Sequence, residues 1–227
     1  MDDYENKITF IIPSIGRDTL NRTINSLLNQ NIEDWYAIIV FDGIKSNLHD
    51  LCDNRIQIIE IEKCGNGINS SGLVRNEGIK YVKTNWIAFL DDDDTIAHDY
   101  IDKFYEELNN NIIYDIDVLI FRMVIKDNEN KIRIIPKQIT NNFYLCDVGI
   151  SFIIKREIID NNILFIPDGA EDFVYLDMIR KAGYKILISK YIKYFVRNEP
   201  YIIYKYCNSV FINVSNKIIS FIGYSLI

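Results

Sequence analysis

Apolar and polar positions follow two different periods along the first half of the chain. KITFIIP (7–13) is a run of β-branched and aromatic residues and predicts a strand, whereas RDTLNRTINSLLNQ (17–30) spaces Leu20, Ile24, Leu27 and Leu28 along one helical face. YAIIVFD (36–42) and IQIIEIE (56–62) predict second and third strands, GLVRNEGIKYV (72–82) a second helix, and NWIAFLD (85–91) a fourth strand. Near-continuous apolar strands belong to a sheet covered on both faces. Further on, HDYIDKFYEELN (98–109) predicts a helix, and IDVLIFRMVIK (116–126) with KIRIIP (131–136) predicts a hairpin turning at Asp127 to Asn130. EDFVYLDMIRKAG (171–183) then predicts a helix closed by Gly183, and KILIS (185–189) a last strand.

Composition narrows the class. With 227 residues, 48% hydrophobic and 25% charged, the chain has the material for one packed α/β domain, and no repeat or low-complexity segment interrupts it. Its net charge of -7, with 32 acidic against 25 basic residues, argues against a surface built to hold nucleic acid. Cys52, Cys64, Cys146 and Cys207 form no CxxC pair, so neither a zinc site nor a disulfide framework is indicated, and a reducing compartment fits. The polar start MDDYENK lacks the features of a secretory signal, and no apolar run reaches membrane-spanning length, so a cytoplasmic protein is expected. In VFINVSNKIISFIGYSLI, Val210, Val214, Ile218, Phe221 and Ile222 recur at helical spacing. Such a face packs on the core, or meets a membrane surface or a second protein.

Candidate chemistry sits at strand ends, where open α/β sheets bind their ligands: Pro13-Ser14, Asp42-Gly43, and the run Asp91, Asp92, Asp93, Asp94. Carboxylates ~4 Å apart repel by ~4 kcal/mol at an effective dielectric near 20 unless water or a cation relieves them. If the strand continues through the run, Asp91 and Asp93 point to one side and Asp92 to the other. Hard cations such as Mn²⁺ or Mg²⁺ need only one or two protein carboxylates when phosphate oxygens complete their shell. From these residues alone two readings stand, a solvated acidic turn leading into the next helix and a cation platform for a diphosphate. A calcium EF-hand is excluded, because counting from Asp91 puts Ile96 where glycine is needed and Asp102 where glutamate is needed.

IIPSIGRDTLNRTINSLLNQNIEDWYAIIVFDG, followed by GLVRNEGIKYVKTNWIAFLDDDD, resembles the nucleotide-binding half of inverting, family-2-like glycosyltransferases with the GT-A fold, over roughly residues 7–105. That resemblance implies a Rossmann-like three-layer α/β/α domain with a mixed, mostly parallel central sheet. The nucleotide half would occupy about 1–110, an acceptor half about 111–200, and a helical tail about 201–227. It implies a donor pocket built by Pro13, Ser14, Ile15 and Arg17, with Asp42 accepting the hydrogen bond of the base imide, for which uridine is the usual partner. Arg75 and Asn76 would lie near the nucleotide, with Arg75 the one cation placed to offset the acidic site. Asp92 would lie near the ribose or sugar, and Asp91 with Asp93 would hold the metal, Mn²⁺ or Mg²⁺, and the diphosphate. Asp172 resembles the family's catalytic base, with Glu171 and Gly149 on the acceptor side. The implied reaction moves a sugar from a nucleotide-diphosphate sugar, most often a UDP-sugar, to a hydroxyl of a glycan, lipid or protein. The pattern departs from the family at Ile15, where a tyrosine often stacks on the base, and at Gly16, where asparagine is frequent.

Two other readings use the same residues. FLDDDDT also fits the DxDxT signature of haloacid-dehalogenase-like phosphatases, with Asp91 as nucleophile and Asp93 as acid/base. Their nucleophile ends the first strand of the fold, however, and here three predicted strands precede it. The third reading is a glycosyltransferase-like domain that binds a nucleotide without turnover, against which the intact Asp42, Asp91, Asp93 and Asp172 argue. His49 and His98 carry little signal, His98 reading as a helix start, and Arg197 reads as a surface arginine within reach of the diphosphate.

Overall fold

The computed structural model describes residues 7–49, 51–65, 70–111, 115–126, 131–137 and 142–197. The predicted turn at 127–130 and the C-terminal tail lie outside the described residues. β1 (Ile8–Ser14), α1 (Leu20–Leu28), β2 (Trp35–Asp42), β3 (Ile56–Ile61), α2 (Ser71–Ile79) and β4 (Trp86–Phe89) follow the predicted order. After them come β5 (Thr95–Ile96), α3 (Tyr100–Asn110), β6 (Val118–Lys126), β7 (Ile132–Ile135), β8 (Phe152–Lys155), α4 (Glu157–Asp160), α5 (Glu171–Lys181) and β9 (Ile186–Phe195). The strands form one sheet in the order β3-β2-β1-β4-β8-β6-β9-β5, with β7 paired to β6.

The sheet is mixed. β3, β2, β1 and β4 run parallel, β8 enters antiparallel between β4 and β6, and β9 lies parallel to β6. Every residue of β1 is buried, as a strand covered on both faces must be. Successive side chains identify the two covering layers. Phe10 meets Tyr100 of α3 at 5.7 Å between ring centroids, and Trp86 meets Phe104 of the same helix at 5.1 Å. On the opposite face, next to Phe10 along β1, Ile11 lies under α2: a Cβ added at Gly78 would stand 2.9 Å from Ile11 and 2.8 Å from Val40. Phe89, paired in register with Ile11, faces Tyr175 of α5 on that same side. Helices therefore cover both faces, the three-layer arrangement.

The fourth strand is shorter than its apolar run. The Leu90 amide makes a last bond to the Ile11 carbonyl, and the Asp94 amide then bonds back to the Asp91 carbonyl at 3.1 Å, which closes a turn. Asp91 and Asp93 are thus not placed together by strand alternation. An extended run of four carboxylates would have no partner strand, whereas the turn lets each find its own cation or donor. The chain then re-enters the sheet as β5, antiparallel to β9. Gln30 ties the end of α1 to the start of α3, donating to the Ala97 carbonyl at 2.7 Å and accepting from the Ile101 amide. Among the described residues no helix is long and apolar enough to cross a membrane.

Candidate functional site

The acidic turn lies beyond the carboxyl ends of β1 and β4, and a separate set of partners fixes each of its aspartates. Asp92 is buried; its Oδ2 accepts from the Ser14 hydroxyl at 2.8 Å and the Ile15 amide at 3.3 Å, and its Oδ1 from Arg17 at 2.9 Å. Burial pushes the Asp92 carboxyl above its ordinary range, with Ser14 and Arg17 restraining it. Asp93 Oδ2 accepts from Arg17 at 3.1 Å and from Arg197 Nε at 2.9 Å, while Arg22 donates to its carbonyl. Arg75 is therefore not the one cation here, and Arg197, though exposed, is an ion-pair partner of the site.

Asp94 does not merely lead into the next helix. It is buried, accepts the Arg197 amide at 2.9 Å and the Tyr194 hydroxyl, and its carbonyl accepts from Thr23 at 2.7 Å. Burial and the neighbouring Asp91 push its carboxyl well above the usual range. The Tyr194 hydroxyl also accepts the Asp91 amide at 3.2 Å, so β9 braces the turn from beneath.

Arg75 is the hub of the site rather than a solvated helix residue. It is 2% exposed and donates to Asp91 Oδ1 and to Glu171 Oε1, each at 2.6 Å, with Asp172 Oδ1 at 3.9 Å. Burial opposes its charge, but Asp91, Asp172 and Glu171 outweigh that and hold its pKa above the ordinary arginine value. The other oxygen of Glu171 accepts the Gly72 amide at 2.9 Å, so this carboxylate latches α5 to the first turn of α2. A side chain at Gly72 would strike Phe165 at 2.8 Å and Glu171 at 2.9 Å. Asn76 does not line the cavity that gathers the other predicted donor-side residues. Its amide donates to the Phe165 carbonyl at 2.8 Å and accepts the Phe165 amide at 3.1 Å, pinning the segment that leads into α5.

Asp172 follows Glu171 in the first turn of α5. Its Oδ1 is buried with no hydrogen-bond partner among the described residues. Burial raises its carboxyl to about 7; Arg75 opposes the rise, while Asp91 and Glu171 add to it. Gly149 lies beside it: an added Cβ would stand 2.7 Å from Met123 Sδ and 3.9 Å from Asp172 Oδ2. A side chain there would have to displace the flexible end of Met123, and its absence keeps the space next to the carboxylate clear.

Two cavities meet at Ser71, the first residue of α2. One, of about 170 Å³, is lined by Pro13, Ser14, Ile15, Arg17, Asp42, Val74, Asp91, Asp92, Asp93 and Arg197. It gathers every predicted donor-side residue except Arg75, which lies beneath it, and Asn76. Asp42 is buried, with Oδ1 accepting the Cys64 amide at 2.6 Å, while Ile15 is 54% exposed. The second cavity, of about 390 Å³, is lined by Ser71, Leu145, Val148, Asp168, Asp172 and Phe173, among others. Leu145, Val148, Asp168 and Phe173 carry no motif, and the sequence offers no signal for them.

For a divalent cation the fit is partial. Among the described residues no cluster of three or more His, Cys, Asp or Glu side chains is arranged to hold a metal. Asp91 and Asp93 each engage arginine through a single oxygen, Oδ1 of Asp91 and Oδ2 of Asp93. Two carboxylates suit a hard cation whose remaining ligands are phosphate oxygens and water.

Residues 9–161 match glycosyl transferase family 2. The poly(ribitol-phosphate) beta-N-acetylglucosaminyltransferase TarP of Staphylococcus aureus is 27% identical over 166 residues, covering 70% of this chain and 46% of that protein. The UDP-Glc:alpha-D-GlcNAc-diphosphoundecaprenol beta-1,3-glucosyltransferase WfgD of Escherichia coli is 30% identical over 120 residues, covering 50% of this chain and 45% of that protein. The chain thus spans less than half the length of these curated relatives. Among solved structures, S. aureus TarS residues 1–349 in complex with UDP align with a TM-score of 0.68 at 17% identity, covering 94% of this chain and 67% of that one, a likeness of fold. The family match runs from β1 through α4 and takes in the whole acidic turn, the Asp42 strand end and the Arg75 helix; the chain belongs to glycosyl transferase family 2.

Proposed function

We propose that the chain transfers a sugar from a nucleoside-diphosphate sugar to an acceptor hydroxyl with inversion at the anomeric carbon. The observation that carries this reading is Asp172, a carboxylate with a buried, unpartnered oxygen and a pKa near 7, in the wall of the second cavity, which shares Ser71 with the first. A general base is most effective when its pKa lies near the working pH and its lone pair is not already committed. In the proposed step Asp172 takes the acceptor proton and the hydroxyl oxygen bonds to the anomeric carbon. The bond from that carbon to the diphosphate breaks on the opposite side, and its electron pair leaves with the nucleoside diphosphate.

The remaining residues orient and neutralise. Asp42, with one oxygen held by the Cys64 amide, suits a donor group on the base. Uridine fits that role, in line with the UDP bound by TarS. Ser14 and Arg17 set Asp92 against the ribose or sugar, and Arg17 and Arg197 lie where they can pair with phosphate oxygens. A Mn²⁺ or Mg²⁺ ion held by Asp91 and Asp93 would place positive charge against the departing diphosphate. Arg75 keeps Asp91 and Asp172 at a fixed separation through its bonds to Asp91 and Glu171.

The test is release of UDP from a panel of UDP-sugars with Mn²⁺, with and without acceptors. Asp172→Asn is expected to lower transfer by roughly 10²- to 10⁴-fold while leaving Mn²⁺-dependent UDP binding intact. Loss of UDP binding in that variant would remove Asp172 from the role of base. A wild-type chain that binds no nucleotide sugar but forms an aspartyl-phosphate at Asp91 would overturn the transferase reading altogether.

A further inference from the structure

The segment that leads into α5 hangs on one residue. Between Leu164 and Gly169 only Phe165 is buried, at 2% exposure, while Leu164 and Ile166 on either side of it are exposed. Phe165 lies outside any helix or strand, so its main-chain N–H and C=O have no ladder to join, and one side chain serves both. Asn76 accepts the Phe165 amide at 3.1 Å and donates to the Phe165 carbonyl at 2.8 Å. A carboxamide suits this place because it donates and accepts in one plane. The Phe165 ring is fixed as well: it stacks on Tyr175 at 3.9 Å between centroids and 16° between planes, and Arg75 lies over it at 5.4 Å. Tyr175 stands one turn after Glu171 on α5 and donates to the Ile163 carbonyl at 3.2 Å.

α2 makes these contacts from one face. Gly72, Arg75 and Asn76 follow one another at helical spacings of three and one residues; the first two hold Glu171 and the third holds Phe165. Of the three, Arg75 also reaches Asp91, on the donor side. Asn76 lines neither of the two cavities described above but a third, of about 660 Å³, shared with Leu73, Ile159 and Leu164. We infer, on the transferase reading for the role of Asp172, that Asn76 is a positioning residue for the acceptor half of the reaction. It fixes Phe165, and through Phe165 and Tyr175 the first turn of α5 that carries Asp172, and the donor is held without it. A general base acts over hydrogen-bond distances, so a shift of about 1 Å in that turn is enough to lower the rate roughly 10²-fold. Glu171 would still tie α5 to Gly72 and Arg75, so the loss is one of placement rather than of fold.

Asn76→Ala separates this role from a donor-side one. The kcat for UDP release, from the UDP-sugar that the parent turns over, is expected to fall at least about tenfold, while the Kd for UDP in Mn²⁺ stays within about threefold. A smaller loss of kcat, or a larger loss of UDP affinity, overturns the inference. Phe165→Leu keeps the bonds of Asn76 to the main chain but removes the stack on Tyr175. It is expected to show the same split, and it carries the test alone should Asn76→Ala fail to fold. The double variant should fall no more than about twofold below the weaker single, because both act through one contact; losses that multiply overturn the route through Phe165. Amide hydrogen exchange reads the link without activity. In Asn76→Ala protection is expected to drop at Phe165 and also at Val174, whose amide bonds to the Ala170 carbonyl at 3.0 Å at the start of α5, with β1 unchanged. Loss confined to Phe165, or spread through β1, overturns the inference. A parent that releases no UDP from any nucleotide sugar sinks the transferase reading, and exchange at Val174 then still decides whether Asn76 holds α5.

Discussion

Asp172 holds a proton that an ordinary carboxylate has released by neutral pH, and this has a cost in stability as well as a use in the proposed transfer. In the unfolded chain the group titrates near its ordinary value of 3.8, and in the fold near 7. Between those values the folded state binds the proton and the unfolded state does not, so this carboxyl's contribution to stability is present at low pH and is lost as pH rises toward 7. Asp172→Asn removes the titration. Thermal melts of that variant are expected to exceed those of the parent above pH 7, by roughly 1–3 kcal/mol at pH 8, with the gap closing toward pH 4. If Asp172 is the base, the activity of the free protein should rise through about pH 7 as this carboxyl becomes able to accept a proton. A flat profile from pH 5 to 8 would count against Asp172 as the base. At this scale the carboxylates that gather at the candidate site were legible, because they stand in short motifs. The partners that fix them were not: Tyr194 and Arg197 reach Asp91 and Asp94 across 103 positions of chain. Nothing in local spacing records such a contact.

Elements read well where they are long, buried on both faces and bounded by turn residues. β1 and β2 meet those conditions, and their predicted and observed limits, like those of the less buried β3 and α2, differ by only a residue or a few. β4 was read too long because the apolar letters of NWIAFLD run beyond the point where its partner β1 stops offering hydrogen bonds. β5, with two residues, and α4, with four, are too short for any periodicity to register. β8 was present in the letters SFIIK but has only four residues, and it enters the sheet antiparallel to both neighbours. The junction of α2 with the sheet is the element-scale feature most open to test. Gly78 lets the helix backbone lie on Ile11 and Val40, and a methyl group there would sit 2.8–2.9 Å from both. Gly78→Ala is expected to lower stability by about 1–3 kcal/mol in urea unfolding despite its better helix propensity. A stabilised variant would mean that α2 can lift off the sheet without penalty.

Across the whole molecule the chain leaves β1 outward to β2 and β3, then returns to the other side of β1 as β4, so the site sits where the order of strands reverses. The strand ends that meet there were legible in the first half of the sequence, but the order of the strands in the sheet was not. The second half was harder to read because its pairings are distant in sequence, β6 with β9 above all. The acidic turn joins these halves. Arg17, just after β1, and Arg197, just after β9, both hold Asp93, so early and late parts of the described chain are clasped by one carboxylate. A cation that took Asp93 Oδ2 as a ligand would therefore have to exchange places with side chains of the chain itself. Arg197→Ala should tighten Mn²⁺ binding in the absence of nucleotide, by no more than about fivefold given how exposed that pair is. Unchanged or weaker binding in a titration would show that the pair does not compete. If it does compete, the protein carries its own displaceable counter-ions. A nucleoside diphosphate arriving with the metal would then find Arg197 freed at the mouth of the cleft, beside an Arg17 still held by Asp92, and the repulsion that four adjacent aspartates present on paper would have become a source of a ready-made partner for phosphate.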